Sequence, residues 1–184
     1  YFFTRKLNFV KETHAIALFP GGFGTMDEGF EVLTLMQTGK ARIFPVVLVD
    51  KPRGTYWQTW LDFLRNHLLK LKLISPDDFN LLHHCESVEC AVEHIARFDH
   101  NDHSSRWVGS RLVLRLLRPL PEKLIERMDT EFDDVLASGK FVQSAALSEE
   151  SGEPDIAELP RLVFQPKRRN FGRLRKVIDA VNEV

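Results

Sequence analysis

The chain has 184 residues, 43% of them hydrophobic, enough for one good core or two small ones, since domains usually run to roughly 100–150 residues. A net charge of −1 supplies no field that would hold a polyanion or an anionic membrane, so nucleic acid is not the expected partner. Two cysteines are too few for a disulfide framework, and no apolar run approaches the ~20 residues of a membrane span, which together predict a soluble cytoplasmic protein.

In chain order, Phe3, Leu7 and Val10 fall at helical spacing and predict a helix over 2–12, with Arg5, Lys6 and Asn8 on its other faces. The apolar run from His14 to Phe19 predicts a strand ended by Pro20-Gly21-Gly22, and Phe30, Leu33 and Met36 then predict a helix stopped at Gly39. Ile43 to Asp50 is continuous and β-branched, as strands covered on both faces are. From Thr55 to Leu71 a stripe of Trp57, Trp60, Leu61, Leu64, Leu68 and Leu71 predicts a long amphipathic helix; the tryptophans suit a core or the apolar face of a homodimer. Ser75-Pro76-Asp77-Asp78 opens a short helical turn, Leu81 to Cys85 predicts a third strand, and Ser87 to Arg97 a helix with Val88, Ala91, Val92 and Ile95 inward. The order α-β-α-β-α-β-α is the signature of a parallel sheet.

Asp99 to Ser105 is polar and aperiodic and reads as a mobile linker. It divides an α/β domain over 1–103 from a small α+β domain over 106–184. The second is predicted as β-α-β-β-α: strand 111–117, helix 121–137, strand 140–147, an acidic turn from Ser148 to Glu158, strand 161–165 and helix 171–184.

The chemistry concentrates at Pro20-Gly21-Gly22-Phe23-Gly24-Thr25-Met26-Asp27-Glu28. A strand ending in Gly-Gly-x-Gly-Thr and turning into a helix exposes successive N–H groups at the positive helix end, where a phosphate can approach with no side chain in the way. The pattern is neither Gly-x-Gly-x-x-Gly nor a P-loop, because no Gly-Lys-Ser/Thr follows. A purely structural reading stands beside it: Thr25 as N-cap and Glu28 as its capping-box partner, with Asp27 a first-turn acid on the helix dipole.

Pro-Gly-Gly-x-Gly-Thr-x-x-Glu, preceded by Arg5-Lys6 and followed by Gln37-Thr38-Gly39, Pro45-Val46-Val47-Leu48-Val49 and Gly54-Thr55-Tyr56-Trp57, resembles the Lonely Guy family of cytokinin-activating phosphoribohydrolases, often labelled lysine decarboxylases. The resemblance covers residues 1 to about 98. It implies the C-terminal half of a Rossmann-like parallel sheet with flanking helices. It also implies hydrolysis of the N-glycosidic bond of a nucleoside 5′-monophosphate, such as AMP or a cytokinin riboside monophosphate, to free base and ribose 5-phosphate, with no metal or organic cofactor and a homodimeric protein. Gly21, Gly22, Phe23, Gly24 and Thr25 would hold the substrate phosphate. Glu28 would stabilise oxocarbenium charge and orient water, and Arg5 would pair with phosphate or with Glu28. The family's earlier Rossmann half has no counterpart here, so the chain is expected to be a fragment with strand 14–19 at an open sheet edge.

Weaker signals remain. His83, His84, Cys85, Cys90 and His94 cluster in sequence, but their spacing fits no established zinc pattern and reads as a strand end followed by a helix with one buried cysteine. Lys167, Arg168, Arg169, Arg173, Arg175 and Lys176 could form a phosphate patch, a solvated face, or a partner for the acidic turn. Two further functions fit the same fold: a nucleotide carrier or sensor without catalysis, and lysine decarboxylation, which needs pyridoxal phosphate on a suitable lysine.

Overall fold

The structure, a computed structural model, describes residues 8–184. Residues 8–12 are helical; the rest of the expected first helix, with Arg5 and Lys6, lies outside the described residues. The chain divides into two units, Tyr1–Ala96 with Arg169–Arg175, and Arg97–Arg168 with Lys176–Val184. No helix among the described residues is long and apolar enough to cross a membrane.

The first unit is a three-stranded parallel sheet in the order β1-β2-β3, formed by Ile16–Leu18, Val46–Val49 and His83–Cys85. Every residue of β2 is buried, because the central strand is covered on both faces. Val46 and Leu48 point to a core shared with Ile16, Leu18, Val32, Met36, Trp57 and Leu61. Val47 and Val49 point the other way, to Cys85 and Ala91. This is the period-2 alternation of a strand turned into two separate hydrophobic layers. Helices α1 (Phe23–Gln37), α2 (Tyr56–Phe63) and α3 (Val88–Phe98) connect the strands.

The helices are rotated from the expected stripes. In α1 the buried positions are Gly29, Val32 and Met36, and Phe30 is exposed. Gly29 is inward because a Cβ there would stand 3.0 Å from Leu18 Cδ1, so its lack of a side chain lets α1 approach β1. Gly39 ends the helix as expected, with φ at +68°. After α2 the chain runs through a π-helical segment, Leu64–Leu69. The helix ends there, and Leu71, expected on the buried stripe, falls in the turn that follows and is exposed. In α3, Ala91 and Phe98 are buried while Val88 and Val92 are exposed. The reason is a Cys85–Cys90 disulfide, which turns the 90/91 side of the helix onto the sheet and replaces the expected single buried cysteine.

The second unit is a four-stranded antiparallel sheet, order β4-β5-β7-β6, from strands Asp102–Val108, Arg111–Leu116, Arg161–Pro166 and Leu136–Ser144. Helices α4 (Glu122–Glu131) and α5 (Phe171–Val181) complete the order β-β-α-β-β-α. One strand, β4, occupies the segment expected as linker. It pairs with β5 through a two-residue turn at Gly109-Ser110, where Gly109 has φ +62°. Asn101 is fully buried: its N–H donates to Asn182 Oδ1 at 2.6 Å, and its side-chain amide serves Arg118 and Val181.

The acidic turn pairs with arginines of the strands. Glu150, buried, accepts from Arg115 Nε at 2.8 Å and Arg161 Nε at 3.0 Å, and Glu149 and Glu153 pair with Arg111 and Arg106. The basic cluster itself is dispersed: Lys167 donates to the Asp134 carbonyl, Arg168 stacks over Trp107, and Arg175 is buried.

Candidate functional site

The turn after β1 enters α1 abruptly. The N-cap is Gly22 (φ −92°, ψ −153°), with no side-chain hydrogen bond to it. Helix α1 therefore starts two residues before Thr25, which removes the expected Thr25–Glu28 capping box and places Asp27 beyond the first turn. The first intrahelical bond is Met26 N–H to the Gly22 carbonyl at 3.3 Å. The N–H groups of Phe23, Gly24 and Thr25 have no intrahelical acceptor, and the helix dipole makes that end positive.

The glycines divide by role. A Cβ on Gly21 would stand 2.2 Å from Thr25 Oγ1, so the turn itself requires that glycine. A Cβ on Gly22 or Gly24 would meet nothing within 4 Å. Internal packing does not demand those two, and they leave bare backbone facing open space beside the helix N-terminus. Phe23 between them is 96% exposed.

Glu28 follows Thr25 by three positions and so projects from the same face of α1. Its Oε2 is buried and accepts no hydrogen bond from the described residues. A carboxylate oxygen removed from water without a partner is costly and needs an explanation. Arg5, expected beside it, lies outside the described residues.

Two residues complete the site that the sequence did not single out. Asp50 ends β2 with its carboxylate buried. Its Oδ1 accepts Lys51 N–H at 2.8 Å, and its Oδ2 accepts the N–H groups of Tyr56 at 3.1 Å and Trp57 at 3.4 Å. Asp50 thus caps α2 from the strand end. A Cβ on Gly54 would stand 2.1 Å from that carboxylate, so Gly54 was the available signal. The capped helix aims Tyr56 at the glycine turn, where its hydroxyl donates to the Gly21 carbonyl at 2.5 Å. Between the ends of β1 and β2 lies an open cavity of about 470 Å³ bordered by Phe19, Pro20, Asp50, Lys51, Tyr56 and Val88. Neither Glu28 nor Gly21 to Thr25 borders it.

The cavity does not suit pyridoxal phosphate. Lys51 is exposed, and Asp50 beside it has both oxygens occupied by backbone N–H groups, leaving neither a desolvated amine for the aldehyde nor an acid for the pyridine nitrogen.

A family model described as "Possible lysine decarboxylase" matches residues 1–95, a span that takes in the glycine turn, Glu28, Asp50 and Tyr56. No curated protein matches the chain.

Proposed function

The chain belongs to the Lonely Guy, or lysine-decarboxylase-like, family, and from that premise we propose that it hydrolyses the N-glycosidic bond of a nucleoside 5′-monophosphate. The 5′-phosphate binds the N–H groups of Gly22 to Thr25, where the glycines leave the approach open. Water adds to C1′ of the ribose as the C1′–N bond breaks, and the base leaves with a proton, giving free base and ribose 5-phosphate. Glu28 orients the water and stabilises the oxocarbenium charge; Arg5 balances the phosphate. The observation that carries this reading is the buried Glu28 Oε2 with no hydrogen bond from the described residues, on the helix that begins at the open glycine turn. A structural cap would have its partner.

The protein is proposed to act as a homodimer, supported by the exposed Phe30, whose ring centroid is 5.3 Å from that of Trp60, and by exposed Phe63. Incubation with AMP should release adenine and ribose 5-phosphate in equal amounts. Saturable AMP binding with no base release would instead favour a carrier or sensor.

A further inference from the structure

Away from the glycine turn, one nitrogen of His83 and the sulfurs of Cys85 and Cys90 lie within 4.8 Å of one another. Alternation along β3 puts His83 and Cys85 on one face of the sheet, and the first turn of α3 brings Cys90 back over it. One turn further along the same helix face, His94 stacks on His83 with centroids 4.0 Å apart and planes parallel. The sulfurs are joined across five positions of sequence. A bridge over so short a loop removes little entropy from the unfolded chain. Cys90 is only half-buried, within reach of an attacking thiolate.

We propose that this strand–helix corner is a redox-gated zinc site, closed while Cys85 and Cys90 are bridged and opened by a dithiol reductant. The reductant delivers two electrons and two protons and becomes a disulfide; Cys85 and Cys90 become thiols. Zinc then displaces both thiol protons and takes a lone pair from the neutral His83 imidazole. Two thiolates and one imidazole are a ligand set zinc favours, and water fills the fourth position. The sulfurs need only part to about 3.7 Å, the edge of a tetrahedron with Zn–S bonds near 2.3 Å. The geometry is separate from the glycine turn, so the site stands whatever reaction that turn serves. It does touch the Asp50 loop, because the Cys85 carbonyl accepts Asp50 N–H at 2.9 Å.

The test uses the full chain, reduced with a dithiol, freed of reductant without oxygen and titrated with zinc against a chromophoric chelator. The reduced protein should take up about one equivalent and the bridged protein none. Cobalt in place of zinc should give thiolate-to-metal charge-transfer absorption. Cys90→Ser should abolish stoichiometric uptake, as should alkylation of the reduced wild-type thiols, a second route that needs no variant to fold. His83→Ala should weaken uptake by more than about 100-fold, beyond the loss typical of a group behind a ligand. Absence of uptake by the reduced protein, wild-type affinity in Cys90→Ser or His83→Ala, or a cobalt complex lacking the charge-transfer band would each overturn the proposal.

Discussion

At the scale of single residues, the glycine turn separates a position where a side chain would clash from positions that internal packing leaves open. Gly22 and Gly24 have open space where a side chain would go; Gly24, inside α1, should tolerate alanine with the thermal midpoint unchanged or slightly raised, since alanine in a helix is favoured over glycine by up to about 1 kcal/mol, whereas Gly22→Ala at the N-cap should lower it slightly, because glycine is preferred to alanine there. Their AMP affinity should fall by about tenfold or more as the methyl blocks the phosphate. Gly21→Ala should lose stability instead, because its Cβ would collide with Thr25. Calorimetry and equilibrium binding on the three variants separate the two outcomes. Glu28→Gln removes a charge from a buried oxygen that has no partner among the described residues, so it should raise stability while lowering turnover by about 10²–10³ with affinity retained. A variant with parental kcat would leave Glu28 without a catalytic role.

At the scale of elements, one carboxylate holds the loop that carries Tyr56 to the glycine turn. Asp50→Ala leaves three N–H groups without their acceptor, two of them at the start of α2, and should cost about 1–2 kcal/mol by urea denaturation, as lost helix caps do. AMP affinity should fall with it if Tyr56 steadies the turn, and Tyr56→Phe should lower affinity without the stability loss. The β4–β5 hairpin makes the opposite point about legibility. Asp-His-Ser-Ser is poor strand sequence, yet the strongly β-prone Arg111 to Leu116 supplies a template, and Gly109-Ser110 supplies the turn. The dipeptide was visible in the sequence; the pairing partner is what converts a polar stretch into an edge strand. Limited proteolysis should therefore spare 101–106, where Asn101 is buried and β4 is paired. Preferential cutting there would mean the hairpin does not form in solution.

At the scale of the whole molecule, acid stability should be set by the Arg115–Glu150–Arg161 cluster of the second unit. Burial alone would raise the Glu150 pKa, but the Leu147 N–H and the two guanidinium groups outweigh it and hold the carboxyl below its ordinary value. A folded pKa below the unfolded one means that the contribution is fully present above the unfolded pKa, near pH 4–5, and is lost as pH falls through the folded value. Chemical denaturation from pH 6 to pH 2 should show this unit weakening below about pH 4. Glu150→Gln should flatten that dependence and cost about 3–5 kcal/mol at neutral pH, because buried Arg161 loses its carboxylate partner and Arg115 keeps only Glu153.

The sequence by itself determined the parallel α/β character of the first unit and the position of the glycine turn after β1, because β2 is a continuous β-branched run and Pro20-Gly21-Gly22 ends the apolar run before it. Those are local properties of the chain. It also located Glu28, since a motif fixes spacing along one helix. What only the tertiary structure decided was orientation: which residue begins α1, that Phe30 faces out and Gly29 in, that Asp50 caps a helix six residues away, and that Cys85 and Cys90 meet. Each depends on how closely two elements approach. That distance is set by how whole elements pack, which the apolar spacing within one segment does not fix.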